Sequence, residues 1–155
     1  MEFSVEVPLD ADGFVRRECP NCEREFKWFD GATEESPPDW EDPDSYFCPY
    51  CGQQAGGDEW WTQAQLNYAE QVALIYAGQA VTDELTGMAR TINRQGGLIR
   101  LEVSGESESP LPPPLQEPND MVAVAAPCHL FEPIKVIDDL VEPLHCLICG
   151  NPFEV

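Results

Sequence analysis

Apolar and polar residues are interleaved in two short segments, Phe14 to Cys19 and Glu25 to Phe29, separated by Pro20-Asn21-Cys22. Aromatic and β-branched residues on either side of a Pro-Asn turn predict a tight β-hairpin over 14–29. A second tight turn is predicted over Tyr46-Phe47-Cys48-Pro49-Tyr50-Cys51-Gly52, followed by a glycine-containing joint over 53–58. From Thr62 the pattern changes to spacings of three and four, which predict a helix to about Asn93. Thr62 with Gln65 three residues on is a capping-box signature. Two apolar stripes run along this helix: Leu66, Ala69, Ala73, Tyr76, Ala80, and then Leu74, Val81, Leu85, Met88, Ile92. The stripes are rotated relative to each other, so the helix either bends near Gly78 or buries more than one face. Gly78 and Gly87 each weaken it by about 1 kcal/mol relative to Ala.

Gly96-Gly97 ends the helical pattern. Leu98 to Val103 alternates as a strand does. Ser104 to Asp120 holds five prolines, three glutamates and no base, and reads as a mobile linker or excursion. Met121 to Ala125 is apolar and strand-like, and Cys128 to Val155 forms a last module. The expected fold is α+β: two small zinc-ribbon β modules joined by a long central helix. Its segments are 1–58 (first ribbon), 59–96 (helix), 97–120 (strand and acidic, proline-rich linker) and 121–155 (second ribbon). A chain of 155 residues built this way has small cores, and modules of that size need a metal or disulfides to stay folded.

Charge narrows the partners. The chain carries 29 Asp and Glu against 8 Lys and Arg, a formal net charge of -21. Such a surface repels nucleic acid and anionic membranes at long range and attracts basic partners. Residues 30–44 hold seven acids, three prolines and no base, which describes a solvated loop. Half of the bases, Arg16, Arg17, Arg24 and Lys27, sit around the first turn, interleaved with Glu18, Glu23 and Glu25. This arrangement fits a salt-bridged surface better than a nucleic-acid finger. Trp60-Trp61 before the helix either fixes its start to the core or anchors a partner. Met1 to Leu9 lacks a cationic residue and an apolar run of signal-peptide length, and no stretch has the length of a membrane span. A cytoplasmic location is expected, and in a reducing cytosol paired cysteines are more often metal ligands than disulfides.

The seven cysteines divide as four and three. Cys19-Pro20-Asn21-Cys22 and Cys48-Pro49-Tyr50-Cys51-Gly52 are two CxxC knuckles. A tight turn points both sulfurs to one side, and two facing turns close a tetrahedral site of four cysteines. Zinc is the expected ion; an iron–tetrathiolate centre shares the ligand softness. A second set comprises Cys128, Cys146 and Cys149, with His129 or His145 as the fourth ligand. Side chains alternate along a strand, so if Cys146 faces the metal His145 faces away, which favours His129. Two zinc ions per chain follow.

CPNC…CPYCG and CH…CLICG resemble the zinc-ribbon, or rubredoxin-like, fold group over about residues 14–52 and 121–155. In that resemblance Cys19, Cys22, Cys48 and Cys51 match all four ligand positions, and Cys146 and Cys149 match the second knuckle of another ribbon. Cys128-His129 departs from the CxxC pattern. The resemblance implies a metal-held β-sheet and no single function. The sequence shows no phosphate loop, catalytic-triad pattern or HExxH, so no enzyme activity is expected. The favoured role is a non-catalytic, zinc-binding protein-interaction module with an acidic surface. The alternatives are a nucleic-acid-associated zinc-ribbon factor or an acidic mimic blocking a nucleic-acid-binding enzyme. A homodimer through the helix is a further expectation.

Overall fold

The computed structural model describes residues 3–104, 109–140 and 142–155. Met1 and Glu2 of the N-terminal stretch, residues 105–108 of the acidic linker and Val141 of the last segment lie outside them. The strands, in chain order, are β1 (Phe14–Glu18), β2 (Glu25–Phe29), β3 (Ser45–Phe47), β4 (Gln54–Gly56), β5 (Val122–Val124), β6 (Ile134–Val136), β7 (Leu144–His145) and β8 (Pro152–Phe153). A long helix, α1 (Gln63–Arg94), separates β4 from β5. The fold class is α+β. The chain forms two compact units: Met1–Glu6 with Leu66–Pro114, and Val7–Gln65 with Leu115–Val155.

The larger unit is built on a four-stranded sheet of order β1-β2-β6-β5. β1 and β2 form the hairpin the sequence predicts, with Arg16 opposite Lys27. β5 and β6 form a second pair, with Val124 opposite Ile134. β2 and β6 then pair antiparallel with Lys27 opposite Lys135, so strands from both ends of the chain share one sheet. Two further hairpins, β3-β4 and β7-β8, carry the remaining knuckles. The core between these parts contains Phe26, Trp60, Ile134, Val136, Leu144 and Leu147, with Cys19 and Cys48 among them. Phe26 meets Trp60 edge-on with ring centroids 5.7 Å apart. Each such side chain, fully buried, contributes about 1.5–3 kcal/mol.

The sheet also buries charge. Asp10, Lys27 and Lys135 are all buried. Lys27 Nζ lies 3.1 Å from Asp10 Oδ2, 3.0 Å from Glu117 Oε1 and 3.2 Å from Asp120 Oδ1. It also donates to the Pro118 carbonyl at 2.6 Å. Lys135 Nζ reaches Asp10 Oδ2 at 2.8 Å, Asp12 Oδ2 at 2.7 Å and Asn119 Oδ1 at 2.7 Å. The last residues of the expected linker, 117–120, are therefore pinned to the sheet. They are held because burying two lysines requires counter-charge and acceptors close by.

Trp60 closes the core, while Trp61 is exposed and lies against Arg17. Thr62 and Gln65 form the reciprocal cap the sequence predicts: Gln65 N–H donates to Thr62 Oγ1 at 3.1 Å, and Thr62 N–H to Gln65 Oε1 at 3.0 Å. α1 then runs unbroken past Gly78. Within the smaller unit Tyr76 stacks on Phe3, with centroids 5.6 Å apart. Gly96 stops the helix in the left-handed region, with φ 69°.

Leu98 to Val103 does not form the expected strand. Alternation specifies a strand only where a neighbour supplies the ladder. Here the Asn93 side chain takes both backbone groups of Leu101, each at 2.9 Å. No described helix is long and apolar enough to cross a membrane.

Candidate metal centres

Three of the four cysteine-bearing turns have one geometry. In each, the first Cys accepts at its carbonyl from the residue after the second Cys: Glu23 to Cys19, Gly52 to Cys48 and Gly150 to Cys146, all at 2.9 Å. In each, the first Cys donates its N–H one residue further on, to Arg24, Gln53 and Asn151. The residue after the second Cys takes a positive φ: 60° at Glu23, and 74° at both Gly52 and Gly150. Glycine is the low-strain choice there, and Glu23 adopts the same conformation with a side chain. The turn also aims N–H groups at sulfur. Asn21 and Cys22 donate to Cys19 Sγ at 3.3 and 3.4 Å, and Tyr50 donates to Cys48 Sγ at 3.4 Å.

Cys19, Cys22, Cys48 and Cys51 converge with their sulfurs within 4.8 Å of one another. The Cys19–Cys51 and Cys22–Cys48 sulfur pairs are each 3.7 Å apart. A tetrahedron with Zn–S of about 2.3 Å has an edge of about 3.8 Å. The tetrad therefore fits that ion in both donor type and spacing. Burial pushes the Cys48 thiol well above its ordinary value. Burial opposes ionisation of Cys51 too, but the Gln53 N–H and the Asn21 amide outweigh it and lower that thiol to about 7. A divalent cation at the centre removes this conflict by favouring the thiolate at every position.

The second tetrad is Cys128, His129, Cys146 and Cys149, also within 4.8 Å. Cys128 Sγ and Cys149 Sγ are 3.5 Å apart, and His129 Nδ1 lies 3.3 Å from Cys146 Sγ. Zn–N of about 2.05 Å and Zn–S of about 2.3 Å give a tetrahedral N···S edge of about 3.6 Å, so this donor set also fits. The fourth turn has its own form: His129 N–H donates to the Ala126 carbonyl, and Glu132 N–H to the His129 carbonyl. His129 is walled by Phe131 and Trp40, with ring centroids 5.8 and 6.5 Å away. Trp40 belongs to the acidic loop of residues 30–44, and Thr33 Oγ1 of the same loop donates to the Phe131 carbonyl at 3.0 Å. The seven acids of that loop remain exposed. Cys128 is exposed and Cys146 buried, so the second tetrad is the more accessible one.

His145 is not in the second tetrad. Its ring packs over the first tetrad's knuckle, where a Cβ on Gly52 would lie 2.9 Å from His145 Cδ2. His145 N–H donates to the Pro49 carbonyl at 2.8 Å, and its Nδ1 lies 3.3 Å from the same oxygen. Phe47 mirrors it on the other knuckle. A Cβ on Gly150 would lie 2.7 Å from the Phe47 ring, and Phe47 N–H donates to the Leu147 carbonyl at 2.9 Å. Each knuckle glycine is thus roofed by the residue that precedes the first Cys of the other knuckle. The two CxxCG turns pack as a reciprocal pair. Sequence reasoning assigned the sulfurs but missed Phe47 and His145 in this role; their shared place, one residue before CxxCG, was the available signal. We expect His129→Ala to lower metal content from two ions toward one, and His145→Ala to leave it at two. Elemental analysis of both variants checks this, and the reverse result would contradict the placement of the two rings.

The tetrads sit at β-hairpins and are consistent with zinc-ribbon-like modules. No known family model, curated protein or solved structure matches this chain.

The basic cluster around the first knuckle is covered by the chain itself. Arg16 reaches Glu25 at 2.9 Å, Glu117 at 2.9 Å and Asp120 at 2.6 Å. Arg24 stacks on Tyr50 at 4.1 Å and lies 3.6 Å from Glu142. Arg17 departs from the salt-bridge expectation. Its guanidinium lies over Trp28 and Trp61 at 4.6 and 4.7 Å, and its buried Nε has no hydrogen-bond partner among the described residues. Arg17 works here as a flat spacer between indoles.

Proposed function

We propose that this chain is a non-catalytic, zinc-held protein-interaction module whose acidic surface meets a basic face of another protein. The observation that carries the metal part is that each tetrad offers four protein donors at tetrahedral spacing. Structural zinc sites are closed in this way, whereas catalytic ones keep a position for water or substrate. The role of the zinc is to hold the hairpins together. Elemental analysis of untagged protein is expected to give two zinc per chain and a colourless solution. One zinc, or iron with its red thiolate colour, would overturn the assignment.

Charge and coverage support the partner part. The chain carries a net charge of -21. Arg16 and Lys27 are engaged by the chain's own carboxylates, and Arg17 and Arg24 by aromatic faces. Few cations remain for phosphates, and each phosphate contact contributes modestly and weakens as salt rises. Zinc-loaded protein is therefore expected to give no shift with random duplex DNA at physiological salt. It is expected to bind polylysine with an affinity that falls steeply with salt, since exposed charges are screened beyond about 8 Å at physiological ionic strength. Micromolar DNA binding abolished by Arg16→Ala and Arg17→Ala would instead make the first hairpin a nucleic-acid reader.

A further inference from the structure

α1 has an apolar stripe that the described residues leave open. Leu74, Val81, Leu85 and Met88 are 66%, 57%, 47% and 55% exposed. At about 100° per residue these four, with Gly78 and Ile92, fall within about 40° of one line along the helix. Val72 is buried about 160° away from this line, and Ala89 is buried about 60° from it, at one border of the stripe. The stripe is thus a second apolar surface, beyond what the helix uses to pack. Its spacings alternate between four and three from Leu74 through Gly78 to Ile92, the seam that receives another helix. Gly78 lies in the seam, and a Cβ there would meet nothing within 4 Å. A helix axis can approach closely at such a point.

The border of the stripe has a sign. Glu70 and Glu84 lie about 40° and 80° to the same side of the line, while Arg90 and Arg94 fall about 160° away from it. Among the described residues the ion pairs are made by Arg16, Arg24, Lys27 and Lys135, and none of them engages Glu70 or Glu84. We infer that this stripe receives an amphipathic helix of another protein, with an apolar seam bordered by Lys or Arg. A second copy fits less well, because it brings Glu70 and Glu84 again and no base to either border. The inference rests on the acidic-module reading above and names the site through which it acts.

The test uses zinc-loaded full chain and two synthetic helical peptides of about four heptads, both with leucine seams. One carries Lys along the seam border and the other Glu. Fluorescence anisotropy is expected to show binding of the Lys peptide alone. Leu74→Gln with Leu85→Gln changes only exposed side chains and is expected to weaken it at least about tenfold, with circular dichroism and zinc content unchanged. Glu70→Gln with Glu84→Gln is expected to weaken it less and to flatten its salt dependence. Equal affinity for the leucine double variant would overturn the helix site and leave the acidic-module reading standing. Absence of Lys-peptide binding even at low salt would overturn both. A wild-type dimer in sedimentation that the leucine double variant dissolves would assign the stripe to a second copy and overturn the inference.

Discussion

Removing the metal is expected to unfold the larger unit. Zinc in comparable sites supplies about 10–16 kcal/mol at neutral pH, as much as or more than the total stability of most domains. The two tetrads tie together hairpins of two to five residues per strand, which would not persist alone. The order of loss follows from access. Cys128 is exposed, whereas Cys19 and Cys48 are buried, so a chelator is expected to strip the second tetrad first. The knuckles exchange Phe47–Leu147 and His145–Pro49 hydrogen bonds, so losing the second ion should then hasten loss of the first. Metal release followed with a colorimetric chelator, together with far-ultraviolet circular dichroism, checks the sequence of events. Cys51→Ser and Cys149→Ser should each lower the melting temperature sharply. Identical thermal melting of metal-free and metal-loaded protein would remove the structural role.

A smaller but still large loss of stability is expected at Asp10. Its carboxylate is buried between Lys27 and Lys135 and accepts the Asp12 and Phe14 N–H groups at 2.9 and 3.0 Å. Burial opposes the charge of Asp10, but hydrogen bonds from Lys135, the Phe14 N–H and Lys27 outweigh it and hold the group well below its ordinary 3.8. Burial likewise opposes the charge of the two lysines, and their carboxylate partners reverse the shift and raise both. Asp10→Asn leaves these lysines short of counter-charge and should cost about 3–5 kcal/mol, the usual penalty for breaking a buried ion pair. Adding Lys135→Met removes a buried cation that has lost one of its two carboxylate partners, Asp12 being the other, and should restore part of the loss, the signature of direct coupling. The pH dependence has a definite sign. A depressed carboxylate contributes stability that is present above its unfolded value, near 3.8, and is lost as pH falls toward its folded value. The gap between wild type and Asp10→Asn should therefore narrow in acid, below about pH 4. Denaturant unfolding at several pH values measures it, and a gap under about 1 kcal/mol at neutral pH would show that the network contributes little.

Much of the chemistry was legible in the chain because it is local. CxxC places two sulfurs on one side of a turn through backbone geometry alone, so Cys19, Cys22, Cys48, Cys51, Cys146 and Cys149 could be assigned without a fold. Strand alternation separated His129 from His145. Thr62 and Gln65 announced the start of α1, and glycine at 96 its end. The strand over Leu98 to Val103 failed for a complementary reason. Its alternation was present, but its partner was the side chain of Asn93, which no periodicity reports.

Which distant segments meet was a matter for the folded chain. No local pattern shows that β2 and β6, on opposite sides of a 32-residue helix in sequence, pair through Lys27 and Lys135. Residues 117–120 read as a mobile linker or excursion by composition, yet Lys27 holds Glu117, Pro118 and Asp120 and Lys135 holds Asn119, because an uncompensated charge in the core costs more than ordering a short segment. The reciprocal roofing of Gly52 and Gly150 by His145 and Phe47 likewise needs two turns far apart in sequence to be in contact. Candidate metal donors, cap and turns could be read from residue order because each depends on neighbours within a few residues. Long-range pairing and charge compensation could not, because a strand edge or a buried ion accepts any partner of suitable chemistry, and only packing selects which one arrives.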